Sequence, residues 1–311
     1  MVDDDGVIDV LAPAGGTVRD LLRALPGGPI DLGATNPRST PGLPGEHVTG
    51  PDRKGWARRQ VELVGKGLAR RQEMLFAGAK ADPGAGRRVL LVLQAMDCGG
   101  KDGTIKRVVG AMNPLGVQIR AFGPPTAEEL RHHFLWRIRR ALPPPGQLGV
   151  FNRSHYEDVL VPRVQERAPE DVWQPRYAEI DEFERELTAA GVVVVKAFLH
   201  ISYAEQAQRL LARLDDPTKH WKYHPSDVDA RARWDDYQAA YADLLGRGGT
   251  DVAPWHVVPA DRKWYRDWAV AHLLRETFDT LDLGYPPADF DIERERERLL
   301  RTTGPSKVYG N

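Results

Sequence analysis

Residues 88–105 have the sequence RVLLVLQAMDCGGKDGTI, and the rest of the chain can be interpreted from them. The apolar run at residues 89–93 predicts a buried strand. It ends in a turn that contains Gly99 and Gly100, and Lys101 and a helical continuation through Ile105 follow. An apolar strand, a Gly-rich turn, a Lys and a helix in this order are typical of a phosphate-binding loop.

A Gly-rich loop suits phosphate binding because consecutive backbone N–H groups can converge on an anion only where no side chain intrudes. Lys101 adds a full positive charge on a flexible stem. Compared with the pattern G-x-x-x-x-G-K-[ST], Ala95 replaces the first Gly. Asp102 replaces the Ser or Thr whose hydroxyl usually binds magnesium. The predicted phosphate-binding residues of this loop are Gly99, Gly100, Gly103 and Thr104. The structural alternative is an ordinary strand-to-helix turn with a surface Lys.

The composition of the 311 residues is that of a globular chain, with 41% hydrophobic and 28% charged residues. The net charge is −1, so a local patch must bind any polyanion. Cys98 is the only cysteine, which excludes an internal disulfide and a thiolate zinc site. The start MVDDD lacks a signal sequence, and no apolar run approaches the roughly 20 residues of a membrane helix. We therefore expect a cytoplasmic protein without a membrane partner.

Strand and helix patterns alternate along most of the chain. Further strands are predicted at residues 117–122, 148–151, 192–199 and 255–258. Helices are predicted at residues 53–76, 126–140, 176–190, 203–214, 226–245 and 263–281. This alternation predicts an α/β fold, a phosphate-loop kinase core with about five parallel strands, helices on both faces and a helical lid.

Composition also suggests three regions. Residues 1–52 are rich in Pro and Gly and are predicted to form a partly extended N-terminal arm. Residues 53–285 would form the phosphate-loop kinase domain, with lid segments near 157–175 and 213–228. Residues 286–311 alternate Glu and Arg in part and are predicted to be a charged C-terminal tail.

A second polar constellation directly follows the strand predicted at 148–151. Residues 152–158 are seven successive polar or ionisable residues, N-R-S-H-Y-E-D. Ligands of open α/β sheets bind beyond the carboxyl ends of the strands, so this segment is a candidate site by position. Many nucleotide hydrolases end this strand in an Asp that holds magnesium, whereas this chain has Asn152.

Four segments together resemble the polyphosphate kinase 2 family. They are Q-A-M-D-C-G-G-K-D-G-T-I at 94–105, F-N-R-S-H-Y-E-D at 151–158, D-D-P-T-K-H-W-K at 215–222 and A-P-W-H-V-V-P-A-D-R-K-W at 253–264. The resemblance spans residues 55–285 and implies reversible transfer of the terminal phosphoryl group of inorganic polyphosphate to a nucleoside mono- or diphosphate. It also implies magnesium, with manganese as an alternative, and a homodimer or homotetramer. Asn152 resembles the branch that accepts both AMP and ADP.

The resemblance and the chemistry of phosphoryl transfer suggest roles for individual residues. Asp97, Lys101 and Arg153 are the predicted catalytic residues. Asp97 and Asp102 would hold metal, and Arg153 would clamp donor and acceptor phosphates. The supporting residues are predicted to be Asn152, His155 and Glu157. The structural alternatives are helix N-terminal charge pairing for the two Asp residues and a salt bridge to Glu157 or Asp158 for Arg153.

Long polyphosphate needs more positive charge than one loop supplies. Arg163, Lys219 and Lys222 are the predicted additional phosphate-binding residues. Lys219 and Lys222 lie in a Pro-interrupted stretch that predicts a lid, which would exclude water from the reaction.

Three other functions have to be compared with this one. An ATP-dependent nucleotide monophosphate kinase would share the fold and the loop. A regulator that binds nucleotide without turnover would not need carboxylates beside the phosphates. Nucleic-acid binding is disfavoured by the net charge and by the lack of a recognisable module, so no nucleic-acid partner is expected.

Overall fold

The computed structural model describes residues 13–25, 27–82, 84 and 86–302. Its strands are β1 (Arg88–Gln94), β2 (Val117–Ala121), β3 (Leu148–Asn152), β4 (Val192–His200) and β5 (Trp255–Pro259). They form one parallel sheet in the order β2-β3-β1-β4-β5. All five lie at the predicted positions, and the predicted α/β fold with a parallel sheet is confirmed.

The sheet forms because its central strands are apolar enough to be covered on both faces. Residues 89–94 of β1 are all buried, and β1 pairs with β3 on one side and β4 on the other. Parallel sheets occur where helices cover both faces, since each crossover connection places a helix there.

Two layers of helices cover the sheet. The helices at 53–81 and 263–279 pack with one hydrophobic cluster around Leu68 and Trp268, and those at 157–164, 176–189 and 234–247 pack with the other around Phe183 and Leu244. The helices are α1 (Val18–Leu22), α2 (Glu46–Thr49), α3 (Arg53–Ala81), α4 (Lys101–Thr104), α5 (Trp136–Arg140), α6 (Glu157–Val164), α7 (Glu170–Trp173), α8 (Arg176–Ala189), α9 (Tyr203–Leu214), α10 (Ser226–Ala232), α11 (Trp234–Arg247), α12 (Lys263–Asp279) and α13 (Ile292–Thr302).

The helix predicted at 53–76 extends to Ala81 as α3, and two other predicted helices are each divided in the structure. The segment 126–140 contains only a 3-10 turn, Glu129–Arg131, and α5, because the backbone becomes extended at His132. Buried contacts of α5 override the local pattern: Arg137 pairs with Asp158 and donates to the carbonyl of Gly123. The segment 226–245 divides into α10 and α11 at Arg233, whose backbone leaves the helical region.

The N-terminal segment packs against the rest of the chain where it is described. Val18, Leu22 and Leu43 are buried in the cluster that contains α12. The Ala24 N–H donates to the Trp255 carbonyl, which covers part of the otherwise free edge of β5. The predicted arm begins in residues 1–12 and the predicted tail ends in residues 303–311, and both stretches lie outside the described residues. Within the described part of the chain, no helix has the length and apolar character needed to cross a bilayer.

Candidate active site

The loop between β1 and α4 forms one side of the candidate site. Gly100 precedes α4 with φ at 104°, a conformation that L side chains rarely adopt. A Cβ added there would lie 1.8 Å from Nη1 of Arg266. Gly is therefore required both by the backbone conformation and by the closeness of the Arg266 side chain. Cys98 also has positive φ, and burial raises the pKa of its thiol, which agrees with a small packing residue. The helix after the loop continues from α4 into a π-helical turn, Ile105–Val109.

Lys101 is buried in this loop. Its Nζ donates to the carbonyl of Ala95 at 2.9 Å. Burial and the nearby Arg153 charge together lower the pKa of Lys101 to about 8, although Asp97 partly opposes the change. An ammonium has three donors, so the single bond to Ala95 leaves donors for an anion.

Arg153 and Asp97 join the ends of two neighbouring strands. Nη2 of Arg153 donates to Oδ1 of Asp97 at 2.6 Å, and Nη1 lies 3.8 Å from Glu157. The contact arises because β1 and β3 pair in parallel with Leu93 opposite Asn152, so the residues after both strands share one edge of the sheet. Glu157, and then Asp97, raise the pKa of Arg153, which keeps its charge.

Asp102 links the loop to the segment predicted as a lid. The Asn152 amide donates to Oδ1 of Asp102 at 2.7 Å, and Nζ of Lys222 lies 3.6 Å from Oδ2. The Asp102 side chain is 63% exposed, so water and ligands reach this carboxylate. The structure therefore brings Asp97, Lys101, Asp102 and Arg153 to one edge of the sheet, with Asn152 and Lys222 beside them.

A cleft of about 810 Å³ opens beside Asp97 and Arg153. Its apolar lining includes Met96, Phe122 and Leu130. Clefts of this size, mostly apolar with a few convergent charges, bind small molecules. Arginines from several elements also line it, namely Arg137, Arg167, Arg176 and Arg233.

Other predicted site residues lie elsewhere. The Arg163 guanidinium pairs with Asp243 at 2.8 Å and lines a different cavity, so the structure does not bring it to the cleft. His155 is 1% exposed and hydrogen-bonds Glu184 in the core.

The remaining predicted residues of the loop and the lid differ in exposure. Thr104 is fully buried, and its hydroxyl oxygen has no hydrogen-bond partner in the described structure. Lys219 is exposed and pairs with Asp216. Gly99 precedes Gly100 in the loop, and Gly103 lies within α4.

Two buried arginines support the loop in ways that its sequence does not indicate. Arg209 from α9 donates to the carbonyls of Cys98 and Gly99. Arg266 from α12 lies against Gly100. A sequence signal exists for Arg266, since Arg266 and Asp267 are charged residues inside an otherwise mostly apolar helix. No local pattern marks Arg209 as a loop contact, because that contact joins positions 110 or more residues apart.

The carboxylates present suit a magnesium ion that takes most of its ligands from substrate. Within the described ranges there is no group of three or more His, Cys, Asp or Glu residues that could hold a metal. Magnesium is commonly bound through one or two carboxylates together with phosphates and water. Asp97 and Asp102 match that donor set, because both lie at the loop and neither is fully buried.

Comparison with known proteins agrees with this geometry. The polyphosphate kinase 2 family model matches residues 62–283. The chain is 43% identical to an AMP/ADP-polyphosphate phosphotransferase of Meiothermus ruber, over 88% of this chain and 97% of that protein. It is 41% identical to an ADP-polyphosphate phosphotransferase of Rhodopseudomonas palustris, over 78% and 86%. A crystal structure of polyphosphate kinase 2 from Arthrobacter aurescens has a TM-score of 0.87 and 44% identity, covering 94% of this chain and all of that one. The chain therefore belongs to the polyphosphate kinase 2 family.

Proposed function

We propose that the protein transfers the terminal phosphoryl group of inorganic polyphosphate to AMP and to ADP, reversibly. One observation supports this most: Arg153 donates to the Asp97 carboxylate at the edge of a cleft of nucleotide size, and the Lys101 ammonium of the phosphate loop lies near both groups. The M. ruber relative, named for AMP and ADP, adds support for both acceptors.

The donor would lie on the loop. Gly99 and Gly100 carry no side chain, and Lys101 has unused donors in the described structure. The Gly99 N–H already donates to the Met96 carbonyl, so the donor would bind the backbone N–H groups from Gly100 to Asp102. Phosphoryl transfer needs alignment and neutralisation of charge, since the transferred group spreads negative charge over its oxygens. Lys101 would bind the transferred group and the adjacent bridging oxygen.

The acceptor would lie in the cleft. Its apolar walls, including Phe122, suit a base and ribose, and Arg153 stands at the end nearest the loop. A planar guanidinium can bind two phosphate oxygens at once, which suits a group that holds donor and acceptor together. Asp97, which hydrogen-bonds Arg153, would fix the orientation of that guanidinium.

In the chemical step, an oxygen of the acceptor phosphate attacks the terminal phosphorus of polyphosphate. A new P–O bond forms, the bond to the chain breaks, and the shortened chain leaves with its electron pair. The acceptor oxygen is already anionic, so little general-base assistance is needed. Bound magnesium would neutralise phosphate charge, with Asp97 and Asp102 as its protein ligands. Arg153 and Lys101 would align the two substrates.

Residues 213–228 are proposed to close over the donor. All six residues of the 3-10 segment Pro217–Lys222 are exposed, and Nζ of Lys222 lies 3.6 Å from the Asp102 carboxylate. Arg213 donates to the Lys222 carbonyl and to Asp227, so the segment remains attached to α9 and α10. Closure would exclude water, which would otherwise accept the phosphoryl group.

The test is incubation with magnesium, long-chain polyphosphate and AMP or ADP separately, with separation of the products by ion-exchange chromatography. We expect ADP and then ATP from AMP, ATP from ADP, and neither product with Lys101→Met. The proposal would be wrong if polyphosphate gave no product while ATP phosphorylated AMP. A product from ADP alone would limit the acceptor to the diphosphate.

A further inference from the structure

Two buried guanidinium groups lie under the phosphate loop, and their hydrogen bonds differ. Arg209 uses its whole donor set on protein: Nε on Glu205, Nη1 on the carbonyls of Cys98 and Gly99, and Nη2 on those of Ala260 and Asp261. An arginine has five N–H donors, so none remains for a ligand. Arg209 therefore shapes the loop.

Arg266 keeps part of its donor set unused. Its Nε and Nη2 both donate to Oδ1 of Asp267, at 3.0 and 2.6 Å. Among the described residues, Nη1 makes no hydrogen bond, although Arg266 is only 3% exposed. Nη1 is not one of the fully buried side-chain nitrogens without a partner, so it keeps some exposed surface at which a ligand can accept its hydrogen bond.

The unused donor lies directly beside the loop backbone. A Cβ on Gly100 would be 1.8 Å from Nη1, and a Cβ on Gly103 would be 3.1 Å from Nη2. The two Gly residues therefore let the guanidinium come up to the backbone at the start of α4. An anion on the loop at Gly100 would meet Nη1 as well as the backbone N–H groups.

The position also indicates which substrate is involved. The cleft touches the loop only at Ala95, Met96 and Asp97, and neither Gly100 nor Arg266 is among its described lining residues. The acceptor would occupy that cleft, so the part of the loop at Gly100 is left for the donor. This step rests on the proposed function.

We propose that Arg266 binds the polyphosphate donor, with Nη1 donating to a phosphate oxygen that lies on Gly100. Arg266 thereby adds to Lys101 a second cation at the loop, contributed by α12 and not by the loop sequence. Asp267 holds the guanidinium from the opposite side and fixes the direction of Nη1.

The test combines Arg266→Lys with Gly103→Ala. A Lys ammonium is a point charge that cannot both pair with Asp267 through two nitrogens and reach Gly100. We expect Arg266→Lys to raise the KM for polyphosphate by about 10-fold or more, with the KM for AMP unchanged. Apart from the neighbouring residues and the backbone of its own helix, the three heavy atoms nearest to a Cβ at Gly103 all belong to Arg266, so Gly103→Ala displaces chiefly that side chain.

Gly103→Ala is expected to raise the KM for polyphosphate by about threefold in the wild type and by less than 1.5-fold in Arg266→Lys, because the two changes act on one contact. The matched control is Arg71→Lys, which alters an arginine paired with Asp279 at the far end of α12 and should leave both KM values unchanged. An unchanged KM for polyphosphate in Arg266→Lys would overturn the proposal. Equal increases for both substrates, or a lower kcat alone, would show a merely structural role.

Calorimetric titration with tripolyphosphate, without nucleotide, separates this proposal from the proposed function. Weaker binding by Arg266→Lys than by the wild type supports the donor contact even if no transfer to AMP were found. Equal binding by the two proteins overturns it even if transfer were efficient.

Discussion

Lys101 and Lys196 are both buried lysines, but the protein satisfies them differently. Nζ of Lys196 donates to three groups, the Tyr156 hydroxyl, the Glu184 carboxylate and the Gly248 carbonyl. Nζ of Lys101 donates to one, the Ala95 carbonyl. A buried cation with all donors satisfied within the protein stabilises the fold, whereas one with donors to spare is available to a ligand. The same contrast separates Arg209 from Arg266.

The largest effect is expected for Lys101→Met. Loss of the cation that binds the transferred group should lower kcat/KM for polyphosphate by about a thousandfold, or ~4 kcal/mol of transition-state stabilisation. The free energy of unfolding should change by less than about 1 kcal/mol, because few protein contacts are lost. Steady-state kinetics and urea unfolding measure the two quantities. A strongly destabilised protein would show that Lys101 is structural.

Lys196→Met is expected to have the opposite pattern. It leaves the buried Glu184 carboxylate without its cationic partner and should lower the free energy of unfolding by about 3 kcal/mol. Glu184→Gln in the same chain should restore part of that loss, since it removes the uncompensated charge. Urea unfolding of the single and double variants checks this, and transfer per folded molecule should stay within about twofold of wild type. A greater loss in the double variant would contradict the buried-pair account.

Arg153→Lys tests the clamp at the strand edge. A Lys keeps the charge but cannot bind Asp97 and two phosphate oxygens with a planar fork, so kcat should fall by about 30-fold, or ~2 kcal/mol. Single-turnover kinetics with saturating substrates measures the step. Full activity would mean that the charge alone suffices and that the fork geometry is not used.

Lys222→Ala should have the smallest effect. Lys222 lies on the proposed lid, 3.6 Å from Asp102, and exposed ion pairs contribute little to stability. We expect the KM for long-chain polyphosphate to rise by about fivefold, or ~1 kcal/mol, with unchanged stability. The matched control is Lys80→Ala, near the other end of the sheet at the C-terminal end of α3. Equal effects of the two substitutions on the KM for polyphosphate would show that Lys222 does not bind the donor and that residues 213–228 do not act as a lid.

The strands and the loop could be predicted because their signals are local. An apolar run such as residues 89–93 predicts a buried strand, and Gly99, Gly100 and Lys101 directly after it indicate a phosphate loop. The ends of helices were predicted wrongly where contacts between residues distant in the sequence decide them. The helix predicted at 126–140 is interrupted because Arg137 pairs with Asp158. No local sequence pattern indicates this pair.

The site was less predictable than the fold for the same reason. Proximity to a motif suggests Arg163 as a phosphate-binding residue, yet its guanidinium pairs with Asp243 away from the cleft. His155, predicted to be a supporting residue, hydrogen-bonds Glu184 in the core. Arg209 and Arg266 reach the loop from helices that follow it by more than 100 residues. Only the packed structure shows which of their donors are used.

The most direct test of the difference between the two lysines is calorimetric titration of tripolyphosphate into the wild type, Lys101→Met and Lys196→Met, each at a temperature where it is folded. The account predicts that Lys101→Met binds at least about 30-fold more weakly than the wild type and that Lys196→Met binds equally well. Equal binding by Lys101→Met, or loss of binding in folded Lys196→Met, would contradict it.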